Sequence, residues 1–118
     1  MTRKKTIFLA GHNGMVGKSL ARQLAKDSNL SVITRSREDL DLTSQNQVCK
    51  FITNKGIDEI YLAAAIVGGI HANEKLPATF IYENLAIQLN VIHSAHQANV
   101  NKLLFLGSSC VYPKFAEQ

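Results

Sequence analysis

Seven residues, Gly11-His12-Asn13-Gly14-Met15-Val16-Gly17, constrain this chain more than any other stretch. They follow an apolar run, Thr6-Ile7-Phe8-Leu9-Ala10, and open a segment where Val16, Leu20 and Leu24 recur at helical spacing. An apolar run without alternation reads as a buried parallel strand, so a strand, a tight turn and a helix N-terminus follow in succession. The first glycine permits a turn that a side chain would block. The second admits close backbone approach by an anionic group, and the third lets the helix pack close to the strand. The free N–H groups of the first helical turn then point at a phosphate. The spacing is G-x-x-G-x-x-G rather than G-x-G-x-x-G, so the weight rests on the strand before and the helix after. Candidate cofactor contacts here are Gly11, Asn13, Gly14, Met15, Val16 and Gly17. His12, inside the turn, is expected to touch phosphate or backbone rather than to act in catalysis.

The remaining elements alternate. A helix is expected over 15–26 and a strand over 30–34, followed by a helix from Thr43 or Ser44 to Lys55-Gly56 with Val48, Phe51 and Ile52 on its inner face. A third strand is expected over 57–65. A long helix should run from Pro77 to about Ala98, with Phe80, Ile81, Leu85, Leu89, Ile92 and Ala95 among its apolar positions. A fourth strand is expected over 102–106. Strands alternating with helices predict an α/β fold, a Rossmann-type parallel sheet. Right-handed crossovers predict the strand order 3-2-1-4, with the ligand at the carboxyl ends near the switch between strands 1 and 4.

At 118 residues the chain is one domain at most, and 46% hydrophobic with 19% charged residues is ordinary globular composition. Part of the +4 net charge is the Arg3-Lys4-Lys5 leader; elsewhere cations mix with acids, and no basic stripe points to nucleic acid. No run is long enough to span a bilayer, and no apolar signal segment opens the chain. Cys49 and Cys110 make no disulfide framework, so the expected setting is reducing and cytoplasmic.

The strand ends carry the chemistry. After strand 2, where an NAD site would place an acid on the ribose, stands Thr34-Arg35-Ser36-Arg37. A guanidinium can grip a 2′-phosphate through two parallel bonds, so Arg35 and Arg37 point to NADP(H). Asp41 is a candidate for the adenine amino group, with Leu42 beside it. After strand 3, Ala63, Ala64 and Ala65 leave room for a flat ring, and Val67-Gly68-Gly69-Ile70 makes a low-bulk wall. After strand 4, Ser108, Ser109 and Cys110 put two hydroxyls and a thiol where a nicotinamide and substrate would meet. A serine there can bond a substrate carbonyl, and a thiol can move a proton if its surroundings tune it. His93 and His96 share a helical face but lack a third ligand, so no metal site is expected. Asn84 and Asn90, on the long helix, are expected to satisfy backbone groups of neighbouring loops.

Three stretches, Ala10-Gly11-His12-x-Gly14-Met15-Val16-Gly17, Tyr61 to Ile70, and Asn101 to Pro113, resemble the extended short-chain dehydrogenase/reductase family. The resemblance covers nearly all of the chain and implies an NADP(H)-dependent enzyme acting on a GDP-linked 4-keto-6-deoxy sugar as a homodimer. By it, Ser108 is the serine of a Ser-Tyr-Lys catalytic set and Cys110 the base of C3/C5 epimerisations preceding reduction at C4. Val67, Gly68, Ser108 and Ser109 would touch substrate, and Arg37 the 2′-phosphate. Asn13 stands where an arginine is often found, which removes one phosphate contact. No Tyr-x-x-x-Lys spacing occurs; Ala116 occupies the lysine position after Tyr112. The chain therefore reads as the N-terminal third of such an enzyme, without a substrate domain and inactive alone. The alternatives are a non-catalytic NADP-binding module and another nucleotide-sugar epimerase or dehydratase of the same family.

Overall fold

The computed structural model describes residues 4–63 and 77–105. In chain order these residues form β1 (Lys5–Ala10), α1 (Met15–Leu24), β2 (Leu30–Ile33), α2 (Gln45–Lys55), β3 (Glu59–Leu62), α3 (Pro77–Gln97) and β4 (Lys102–Phe105). The four strands make one parallel sheet. β1 is interior and its Ile7, Phe8, Leu9 and Ala10 are buried on both faces, as an unalternating apolar run requires.

The order is β2-β1-β3-β4, which corrects the expected 3-2-1-4. After β2 the chain does not add a strand outside it. Residues 34–44 stay a loop, and α2 carries the chain back across β1, so β3 pairs with β1 through Ile7↔Glu59 to Ala10↔Leu62. The switch therefore falls between β1 and β3, not between strands 1 and 4.

Reversing direction at β2 also decides which helix covers which face. A right-handed crossover out to β2 and another back to β3 place α1 and α2 on opposite sides of the sheet. Accordingly Phe8, Ala10, Ile60 and Leu62 share one core with Val48 and Ile52 of α2 and Ile87, Val91 and Ala95 of α3. Phe51 completes it, its ring meeting Phe8 edge-on at 4.8 Å between centroids. On the other face α1 lies over β1 and β2, while Tyr61 is half-buried and Leu104 exposed.

The helix ends follow local chemistry. Ser44 caps α2 by accepting from the Gln47 N–H, and Gly56 ends it in the left-handed region at φ 60°. α3 is apolar on two faces. It buries Ile87, Asn90, Val91, Ser94 and Ala95 and exposes Ile81, Tyr82, Leu85, Leu89 and Ile92. Two contacts fix its direction: Asn90 Nδ2 donates to the Leu42 carbonyl at 3.0 Å, and the Cys49 thiol to Gln97 Oε1 at 3.8 Å. Both partners advance seven residues between the two contacts, so α2 and α3 run parallel.

At the amino-terminal rim, Asp58 joins three strands. Its carboxylate accepts from the Thr6 N–H at 2.7 Å, its own N–H donates to the Thr6 carbonyl, and its carbonyl accepts from Asn101. A 3.1 Å ion pair between Lys5 and Glu59 lies alongside and raises the pKa of the Lys5 amine. No helix among the described residues is long and apolar enough to cross a membrane.

Candidate cofactor-binding site

The site begins where β1 and β3 part. Among the described residues the last bond between them runs from the Ala63 N–H to the Ala10 carbonyl at 2.8 Å, and beyond Ala10 the chain enters the glycine turn. Gly11 adopts φ 92°, a conformation closed to most side chains. The turn closes with a bond from the Gly14 N–H to the Gly11 carbonyl, and α1 starts with Lys18 donating to Gly14. Gly17 faces back onto this turn: a Cβ built there would lie 1.8 Å from the Gly11 carbonyl oxygen. Gly14 is different, for a Cβ there would meet nothing of the protein nearer than 3.9 Å.

The N-terminus of α1 differs from that of α2 in having no side-chain cap, and like α2 it has no acid in its first turn. Met15 (87% exposed) and Val16 (54%) face solvent. Val16 was expected at helical spacing with Leu20 and Leu24, but only those two are even partly buried. Gly17 takes the inward position instead, because only a residue without a side chain fits against the turn. Uncapped N–H groups, an unneutralised dipole and an open glycine together fit a pyrophosphate.

The loop after β2 divides the two arginines. Arg35 turns back onto the protein: Nη1 donates to the Thr34 carbonyl at 2.7 Å, and the guanidinium lies 5.2 Å from the Phe51 ring centroid. Arg37 is exposed. Asp41 accepts from the Thr43 hydroxyl at 2.6 Å and the Thr43 N–H at 3.0 Å. These bonds, with the charge of Arg37, hold its carboxyl below the usual range. A depressed folded pKa stabilises above the unfolded value and is lost as pH falls through the folded one. The loop is therefore expected to keep its structure from pH 7 down to about pH 4, the ordinary carboxylate range, and to loosen below it. A pH titration of the Thr43 amide resonance checks this, and Asp41→Asn should abolish the transition.

Two contacts to this loop come from side chains that the sequence did not mark as part of the site, although Phe51 was expected on the inner face of α2. Gln47 accepts from the Asp41 N–H at 3.1 Å. The Ser44-x-x-Gln47 spacing of a capping box could have flagged it, although the glutamine here reaches past the cap. Phe51, beneath Arg35, had no such signal. Asn90, expected to serve a loop backbone, does so at Leu42. Ala63 is half-buried at the end of β3. Ala64, Ala65, Val67, Gly68, Ser108, Ser109 and Cys110 lie outside the described residues. Among the described residues no three of His, Cys, Asp or Glu gather as metal ligands.

Residues 7–118 match the model of the NAD dependent epimerase/dehydratase family. The chain is 52% identical over 98% of its length to GDP-L-fucose synthase of Escherichia coli, and covers 36% of that protein. It is 51% identical over its whole length to putative GDP-L-fucose synthase 2 of Arabidopsis thaliana, again covering 36%. Among solved structures, the GDP-mannoheptose C4 reductase MlghC from Campylobacter jejuni, with NADP bound, superposes on 99% of this chain at a TM-score of 0.88 and 39% identity. The chain covers 37% of that structure. The chain thus spans about a third of the length of the relatives it matches. A glycine turn at the switch point of a parallel sheet, matched over nearly every residue, has one consistent reading: the chain belongs to the NAD dependent epimerase/dehydratase family.

Proposed function

We propose that this chain is the N-terminal, cofactor-holding part of an NADP(H)-dependent epimerase/reductase that converts GDP-4-keto-6-deoxymannose to GDP-L-fucose. The observation that carries the cofactor half is the uncapped, acid-free start of α1 set at the crevice between β1 and β3. Gly11, Asn13, Gly14, Met15, Val16 and Gly17 line the pyrophosphate, and Ala63, Ala64 and Ala65 leave room for the ring. Arg37 grips the 2′-phosphate, Arg35 adds its charge from its seat on Phe51, and Asp41 and Leu42 take the adenine. Bound NADPH supplies a hydride.

The substrate half rests on similarity to the fucose synthases. Val67, Gly68 and Ser109 position the sugar, and Ser108 donates a hydrogen bond to its C4 carbonyl. Cys110 removes the protons beside that carbonyl, which are acidic because the charge left behind spreads onto oxygen. The opposing acid and the Tyr-x-x-x-Lys pair are not within these residues. The chain alone therefore binds cofactor without turning over, while the working enzyme is a dimer whose copies meet along the exposed face of α3. The likeness to MlghC supports a second reading, a C4 reductase of another GDP sugar. Exchange of solvent deuterium into C3 and C5 of the substrate, dependent on Cys110, separates the two.

The test of the cofactor reading is a fluorescence titration of the chain with NADPH and NADH. Saturable NADPH binding, at least tenfold tighter than NADH and levelled by Arg37→Met, is expected, a difference of about 1.4 kcal/mol. Equal affinities for the two in the unaltered chain would overturn the assignment to NADP.

A further inference from the structure

The loop carrying Asp41 and Leu42 is held from two helices at once. Gln47, in the first turn of α2, accepts the Asp41 N–H at 3.1 Å, and Asn90, midway along α3, donates to the Leu42 carbonyl at 3.0 Å. Asn90 is 6% exposed, and its amide meets the Leu42 carbonyl, 48 residues away in the chain. A buried amide costs stability unless it is bonded, and a leucine or alanine would fill that position on α3 without the cost. Leu40, two residues before Leu42, is itself buried in the core, so the backbone between the two contacts has little freedom. The contact also marks a level in the fold. Because α2 and α3 run parallel, with Leu42 level with Asn90 and Cys49 with Gln97, the part of α3 before Asn90 lies beyond the start of α2. Asn90 is thus a point where α3 meets the loop after β2.

We propose that Asn90 and Gln47 are positioning residues for the adenine end of the dinucleotide. They hold the two-residue segment Asp41-Leu42 at its two ends, the Asp41 N–H and the Leu42 carbonyl, and through Asn90 the helix that follows the nicotinamide-side strand end sets the adenine-side loop. The proposal rests on the cofactor reading above. Neither side chain touches the nucleotide; each acts through the backbone it holds.

The experiment titrates the full chain with 2′,5′-ADP, which carries only the adenine end, and with NADPH. Asn90→Leu is expected to weaken both by the same factor, about tenfold, because the whole loss lies at the adenine end. Val91→Ala, a buried change on the same face of α3 that touches no loop bond, serves as the control of matched destabilisation and should leave both affinities unchanged per folded molecule. The Leu42 carbonyl ¹³C resonance should shift upfield in Asn90→Leu and stay in place in Val91→Ala. Gln47→Leu, on the exposed side of α2, should weaken 2′,5′-ADP about threefold, and it carries the test if Asn90→Leu does not fold. Unchanged 2′,5′-ADP binding in the folded variants overturns the positioning role while leaving the cofactor reading intact. Equal losses in Asn90→Leu and Val91→Ala overturn it too, as a general effect of destabilisation. A parent chain that binds neither ligand removes the cofactor reading and this inference together.

Discussion

Gly17→Ala is expected to cost about 3 kcal/mol, the upper end of overpacking penalties, and to weaken NADPH binding about tenfold or more. The new methyl carbon would stand 1.8 Å from the Gly11 carbonyl oxygen and 2.7 Å from its carbon. Both are backbone atoms in a turn already at φ 92°, so no side chain can swing aside to make room. Either α1 lifts from β1 or the turn opens, and each moves the N–H groups that would face the pyrophosphate in the proposed site. Against a total stability of about 5–15 kcal/mol the loss should be plain in a urea melt. Gly14→Ala provides the contrast. Its methyl meets no protein atom within 3.9 Å, so the melt should hardly move while NADPH affinity falls. If both variants keep full affinity, the turn does not hold the phosphate.

The second large effect concerns the outer face of α3. Ile81, Tyr82, Leu85, Leu89 and Ile92 form one apolar stripe, with Tyr82 at 74% and Leu89 at 68% exposure, on the side turned away from the core. A second copy packed along this stripe would remove it from water, which is the dimer proposed above. Leu85→Glu with Leu89→Glu places four carboxylates at such a contact without partners. Burying unpaired charge costs several kcal/mol per ion, so dimers present at micromolar concentration should become monomers of unchanged helix content. Sedimentation velocity measures this directly. An unaltered chain that stays monomeric at those concentrations excludes α3 as a self-association face.

How far the fold could be read from residue types varies element by element. β1 and α2 were legible almost to the residue, because their signals are local: an apolar run for one, Ser44 and Gly56 at the two ends of the other. Strand order was not legible. It depends on whether α2 carries the chain outward past β2 or back across β1, and that is settled by contacts between distant residues, such as Phe8 with Phe51 and Asn90 with the Leu42 carbonyl, that no local pattern announces. The inward face of α3 was ambiguous for a plainer reason: the helix is apolar on both sides, and periodicity cannot choose between two stripes. At the site, the glycine turn was readable because Gly11 and Gly17 each answer a distinct geometric demand. The separation of Arg35 from Arg37 was not, since it hangs on the ring of Phe51, sixteen residues from Arg35.

The Asp58 contacts have a mechanical consequence. They fasten β1, β3 and β4 at the amino-terminal rim, whereas toward the opposite rim the bond from Ala63 to Ala10 is the last between β1 and β3 among the described residues. Asp58 thus ties the sheet at the rim that carries none of the candidate cofactor contacts, so its loss would loosen the strands from the margin remote from the proposed site.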